Sequence, residues 1–259
     1  PNLMTLAQAG VIFHNCFDCA PTCSPSRAAM LTGINAHSSG MLGLAHRGFS
    51  LKDPSQHLAH HLRNHGYETV LCGVQHEIAD GCEAELGYDR ILEIDEPAPE
   101  AHSSDPHQRS EWMMKLDMAR ANLVAKFLAQ SGKRPFFLSF GMLSTHRPFP
   151  LPANDIDPNY VQPPLTVPNT ALTRKDMSGF LTMARCMDNC VGIVLEALRQ
   201  SGREDDTLLL FTTDHGIAFP KMKCHLYDSG IGVALLMKFP KQAYHGQSCD
   251  ALVSHLDVY

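Results

Sequence analysis

The sequence has no run of about 18 or more apolar residues, so it holds no helix able to cross a membrane. It has no excess of basic charge. Its 21 Lys and Arg against 27 Asp and Glu leave a formal net charge of -6, which gives no footprint for nucleic acid. It has no internal repeat. It has no paired CxxC clusters of the zinc-knuckle type, although nine cysteines are present at irregular spacings. No signal peptide is visible, but the sequence opens at Pro1 without a Met. The expected start is therefore inside a longer protein, and the compartment stays open. What is present is ordinary for a soluble globular protein: 259 residues, enough for one large domain, with 44% hydrophobic content.

Strand and helix patterns alternate along the chain, which predicts an α/β fold with a mostly parallel central sheet and helices on both faces. A short helix over 2–9 ends at Gly10, and Val11–Phe17 follows as a strand. Asp53 and Pro54 open a helix with Leu58, Ala59 and Leu62 on one face, closed by Gly66. Thr69–Cys72 reads as a buried strand, 116–130 as an amphipathic helix, and Phe136–Met142 as a strand. A long helix is expected over 174–200, with strands at Leu208–Thr213 and Val233–Phe239. Residues 94–110 and the proline-rich 147–170 break the alternation and are expected as loops. His57, His60, His61 and His65 are expected on one surface helix without a function. Cys186 and Cys190, at i and i+4 on the long helix, are expected as buried free thiols.

The most informative stretch is Cys23-Ser24-Pro25-Ser26-Arg27, followed by the small-residue run Ala28-Ala29-Met30-Leu31-Thr32-Gly33. Ser24 is expected to cap a helix and Pro25 to occupy its first turn. Cys23 then sits just before a helix N-terminus, where free N–H groups and the dipole favour negative charge. Arg27 adds a permanent cation whose fork matches sulfate or phosphate oxygens. A cysteine phosphatase loop needs a longer spacing than the three residues between this Cys and Arg.

Three strands run into polar residues at their carboxyl ends, where ligands bind in open α/β sheets. Leu208–Thr213 leads to Asp214-His215-Gly216, Thr69–Cys72 to Gly73-Val74-Gln75-His76-Glu77, and Phe136–Met142 to Ser144-Thr145-His146-Arg147. Asp214 with His215 offers a hard oxygen beside a second ligand, an arrangement suited to a divalent cation. Each alone reads equally as a turn or cap residue. Lys223, in the next loop, is either an anion ligand or simply solvated.

These landmarks together resemble the type I, formylglycine-dependent sulfatases of the alkaline phosphatase superfamily. The resemblance rests on Cys23-x-Pro25-x-Arg27 with Leu31-Thr32-Gly33, Gly73-x-x-His76, Pro135-Phe136-Phe137-Leu138, His146, Met187-Asp188, Thr212-Thr213-Asp214-His215-Gly216, Lys223 with Leu226-Tyr227, and Val253-Ser254-x-Leu256-Asp257-Val258. Gly40-Met41-x-Gly43-Leu44 and Gly216-Ile217-x-Phe219-Pro220 look most like heparan N-sulfatase-like (sulfamidase-like) members. The resemblance implies a sulfuric ester hydrolase acting on a sulfate ester or sulfamate, on a sulfated sugar or an aryl sulfate. Cys23 would be converted to formylglycine by the formylglycine-generating enzyme. One hydroxyl of its hydrate would attack sulfur, and the other would then expel sulfate. Arg27 would orient the hydrate, and His76 would hold it or take its second proton. His146 and Lys223 would bind sulfate, His146 also protonating the leaving atom. Asp214, His215 and the Cys23-derived group would hold the metal, Ca²⁺ by resemblance with Mg²⁺ as the alternative.

The sequence also departs from the family pattern. The family's first pair of metal carboxylates is expected upstream of Pro1, and a C-terminal subdomain beyond Tyr259. Residues 1–259 are therefore expected as one sulfatase core, incomplete at both ends. Val74 stands where the family has a Lys, Leu143 where it has a His, and His215 where it more often has Asn. Two alternatives stay open: a phosphonate or phosphate monoester hydrolase of the same superfamily, and a catalytically inactive sulfatase-like binding protein.

Overall fold

The computed structural model describes residues 1–94, 103–130 and 132–259. Helix α1 (Asn2–Ala9) is followed by strand β1 (Val11–Phe17), α2 (Cys23–Thr32), α3 (Ala36–Ser39) and α4 (Leu58–Asn64). Then come β2 (Glu68–Gly73), β3 (Arg90–Leu92), α5 (Pro106–Gln130), β4 (Phe136–Gly141) and α6 (Ala171–Gln200). The chain ends with β5 (Leu209–Thr212), α7 (Asp228–Ile231), β6 (Leu235–Lys238) and β7 (Gln247–Ser254).

The α/β class expected from the sequence is observed. The single central sheet is instead two sheets among the described residues, in the orders β3-β2-β4 and β5-β6-β1-β7. The first is parallel throughout. In the second β1 runs parallel to β7, while β6 is antiparallel to both β1 and β5. The connection from β5 to β6 carries only the four-residue α7, and β6 returns antiparallel beside β5.

The period of two along β2 places helices on both faces of its sheet. Leu71 points into a cluster with Ala28 of α2 and Ala59 of α4. Val70 and Cys72 point the other way, against Val124, Phe127 and Leu128 of α5 and Leu198 of α6. Leu209 of β5 joins that second cluster, so the two sheets share it.

α5 begins ten residues before the expected 116, at Pro106, whose fixed φ suits a helix start. Residues 106–110 are therefore helical, while 95–102 of the expected loop lie outside the described residues. α6 starts at a capping box in which Thr170 and Thr173 bond reciprocally. Asp188, on α6, accepts from the backbone N–H of Asn2 at 3.0 Å and of Leu3 at 2.8 Å, which neutralises free donors at the start of α1. His57 is not on the surface. It is fully buried, and its Nδ1 accepts from Ala59 N to cap α4. Among the described residues no helix is long and apolar enough to cross a membrane.

Candidate active site

The site assembles at the N-terminus of α2. Thr22 is the N-cap, so Cys23 is the first residue of the helix, not the one before it. Ser24 does not cap. Its buried Oγ accepts from Ala45 N at 3.0 Å and pins the following loop. Pro25 falls in the first turn, as expected, where its missing N–H leaves no unpaired donor.

Three loops bring side chains to the Cys23 sulfur. His215 Nε2 lies 3.3 Å from Sγ, and Lys223 Nζ 3.4 Å from it. His76, beyond β2, lies close enough to help lower the pKa of the thiol. His146, beyond β4, lies one step out, with Nε2 3.4 Å from Lys223 Nζ. The Lys223 loop is tied to the segment before Cys23 by Cys224 N donating to Pro21 O at 2.7 Å. Five of the seven residues singled out from the sequence, Cys23, His76, His146, His215 and Lys223, therefore meet in one place. Asp214 joins them through its Oδ1, 3.5 Å from His215 Nε2.

Arg27 packs against the loop after β2. Its guanidinium donates to Val74 O at 2.8 Å and, through Nε, to Glu77 Oε1 at 2.8 Å. Glu77 is fully buried. The pair clamps the loop after β2 against α2, and thereby sets where His76 projects. Gln75 braces the same loop, its Oε1 accepting from Glu77 N and Ile78 N. His76 itself sits at φ 64, a left-handed conformation that a non-glycine residue holds only when neighbours fix it. Gly73, at φ 86, lets the end of β2 pass close against the Gly141 carbonyl at the end of β4.

The electrostatics favour an anion at Cys23. Burial alone would raise its thiol, but hydrogen bonds from His215 and His76 and the charge of Lys223 outweigh it and bring the pKa down to about 5. Burial would lower His215, yet Cys23 and Asp214 hold it above the ordinary histidine value. Burial and the Lys223 charge push His146 below that value. The neutral imidazole and the cation thus stand side by side.

Sequence reasoning did not single out Glu77, Asp18 or His255. Asp18, just past β1, is 6% exposed, and neither of its carboxylate oxygens has a hydrogen-bond partner. Burial and the nearby Asp214 raise it to about 7 against the opposing pull of His215. His255 is fully buried between Thr212 Oγ1, 2.9 Å from Nε2, and Ser26 Oγ, 3.2 Å from Nδ1. Ser26 Oγ donates on to the Asp214 carbonyl. This chain of bonds holds the end of β5 to α2, and with it the spacing of Asp214 and Cys23. Nothing in the sequence around Asp18 or His255 separates them from surface residues.

A family profile described as Sulfatase matches residues 1–259. The chain belongs to the sulfatase family. Among curated proteins it is 32% identical to N-sulphoglucosamine sulphohydrolase of Homo sapiens, an alignment covering 100% of this chain and 54% of that protein. It is 25% identical to choline-sulfatase of Rhizobium meliloti, over 93% of this chain and 58% of that one. Among solved structures, the phosphonate monoester hydrolase of Agrobacterium radiobacter superposes with a TM-score of 0.75 at 20% identity, over 100% of this chain and 67% of that one. This sulfatase chain thus spans about half the length of the curated relatives it matches.

Ligand atoms of Cys23, Asp214 and His215 lie within 4.8 Å of one another, the one such group of His, Cys, Asp and Glu among the described residues. One carboxylate, one imidazole and one sulfur fit a divalent cation. They supply too few oxygens to satisfy Ca²⁺, which takes about 6–8. A hydrated formylglycine at Cys23 would put oxygen where the sulfur stands.

Proposed function

We propose that this sulfatase chain is the catalytic core of a hydrolase for a sulfate ester or sulfamate carried on a sugar, working through formylglycine at Cys23 and a divalent cation. The observation that carries the reading is the Cys23 sulfur itself. It stands at a helix N-terminus with His215 and Lys223 at 3.3 and 3.4 Å, so the position of the nucleophile is already an anion site.

Converted to formylglycine by the formylglycine-generating enzyme and hydrated, residue 23 would supply one hydroxyl to attack sulfur and a second to release sulfate. Asp214 and His215 would hold the cation, Ca²⁺ with Mg²⁺ as the alternative, which supplies charge to polarise the sulfate. Lys223 binds a sulfate oxygen. His76 takes a proton from the hydrate. His146, neutral next to Lys223 in the resting site, relays a proton to the leaving oxygen or nitrogen once sulfate charge arrives. Arg27 orients residue 23 at one remove, by fixing the His76 loop through Glu77. A cavity of about 470 Å³ adjoins His76, and Trp112 Nε1 and Arg120 Nη1 on its walls are buried donors without an acceptor. That lining suits a hydroxyl-bearing leaving group.

The test is a side-by-side assay of N-sulfoglucosamine, an aryl sulfate and a phosphonate monoester with Ca²⁺ present, with the mass of the Cys23 peptide measured on the same sample. Turnover of a sulfated substrate with sulfur lost from residue 23 is the expected result. Dominant phosphonate turnover would make the chain a phosphonate hydrolase. An intact thiol in protein from its native host, with no turnover, would leave a binding protein.

A further inference from the structure

α5 and α6 pack along each other, and sulfur side chains converge where they meet. Cys186 and Cys190 lie one turn apart on α6, and Met114 and Met118 one turn apart on α5. Cys190 Sγ is 3.4 Å from Met118 Sδ. Cys186 shares the α6 face with Cys190 and donates to the Met114 carbonyl at 3.6 Å. Cys190 is fully buried, but a cavity of about 440 Å³ reaches Cys186 from outside, lined by Glu111, Met114, Lys115, Met118 and Cys186. None of these residues belongs to the cluster around Cys23.

Core packing explains one buried thiol on a helix. It does not explain a thiol and two thioethers lining an open cavity, with a second, buried thiol 3.4 Å behind one of those thioethers. Thiolate and thioether ligands together select soft, low-charge ions, and a thioether discriminates against hard cations. We propose that Cys186, Cys190 and Met118 form a binding site for cuprous copper, with Met114 at its mouth. Metal–sulfur bonds of about 2.3 Å around a trigonal ion hold the sulfurs roughly 4 Å apart. The observed 3.4 Å between Cys190 and Met118 widens to that by small rotamer changes. Binding releases both thiol protons to solvent and leaves two thiolates on one Cu⁺, a net single negative charge beside Lys115. No electron is transferred.

Anaerobic titration of the intact protein with cuprous acetonitrile, in competition with bicinchoninate, tests this. The Cys186→Ser/Cys190→Ser variant is expected to lose a single tight equivalent while its sulfatase assay stays unchanged, its thermal midpoint falling only by the cost of a buried hydroxyl at 190. Met118→Leu, which conserves volume, is expected to weaken that equivalent by at least the roughly tenfold that loss of an outer-shell partner costs. If the double variant fails to fold, Met118→Leu and the single Cys186→Ser variant carry the test. Unchanged copper stoichiometry and affinity in these variants would overturn the proposal, as would displacement of the bound copper by equimolar Zn²⁺. The copper readout does not depend on turnover, so its failure and that of the sulfatase reading are distinguishable.

Discussion

Lys223 places its ammonium 3.4 Å from the sulfur of Cys23, a residue 200 positions earlier in the chain. That contact gathers the site. It puts an ammonium group against the nucleophile and, on its other side, against His146 at 3.4 Å.

Removing the cation should therefore be felt twice. In protein whose Cys23 is left unmodified, iodoacetamide labelling of Cys23 is expected to follow a thiolate with a pKa of about 5. In Lys223→Met the labelling midpoint moves to higher pH, read by peptide mass across a pH series. The folded pKa lies below the ordinary thiol value, so thiolate stabilisation is complete above the unfolded pKa and is lost as pH falls through about 5. In the converted enzyme, Lys223→Met is expected to cut kcat by about 10²–10³, the usual cost of one donor to a developing anion. An unmoved labelling midpoint would mean that Lys223 does not act on residue 23.

Arg27 and Glu77 form a pair whose members are 13% and 0% exposed. Arg27→Met leaves the Glu77 carboxylate buried without its partner, a change that costs about 3–5 kcal/mol. Urea unfolding should show that loss. Arg27→Met/Glu77→Leu is expected to recover most of the stability and none of the activity, because the His76 loop then has no clamp. Full activity in the double variant would refute the positioning role.

His215 is held above the ordinary histidine pKa by Cys23 and Asp214 against its burial. A protonated imidazole has no lone pair for a cation, so cation binding should weaken as pH falls through that raised value. The thermal stabilisation given by added Ca²⁺ is expected to fade at acid pH in the wild type. In His215→Asn it should persist to lower pH. Identical acid limits in the two proteins would remove His215 from the ligand set.

Much of the candidate site was legible before the fold. Cys23, Asp214 and His215 stand at segment ends that local patterns mark clearly, and helix α2 begins within two residues of the expected place. What escaped depends on long-range packing. Glu77 is one acid among 27 Asp and Glu, and only the approach of α2 to the β2 loop makes it the partner of Arg27. Strand β7 is mostly exposed and lacks apolar alternation, so no period-two signal marks it. Strand β3 has three residues, too few for any pattern. The antiparallel direction of β6 depends on its neighbours, and its apolar run reads the same either way.

Asp18 ties the stability of the fold to pH. Its carboxyl is buried without a hydrogen-bond partner, and burial with the nearby Asp214 raises it from 3.8 to about 7. A folded pKa above the unfolded one favours the protonated form in the fold. The associated stability is complete below the unfolded value and is lost as pH rises through about 7. The change is of the order of 4 kcal/mol at its ceiling, since each pKa unit corresponds to about 1.4 kcal/mol. Asp18→Asn keeps the shape and removes the charge. In chelator, the thermal midpoint of the variant should match the wild type near about pH 4 and exceed it by an increasing margin toward about pH 8. Parallel curves for the two proteins would show that the Asp18 carboxylate finds a partner in solution, and the unpaired carboxylate would then not be a property of the folded site.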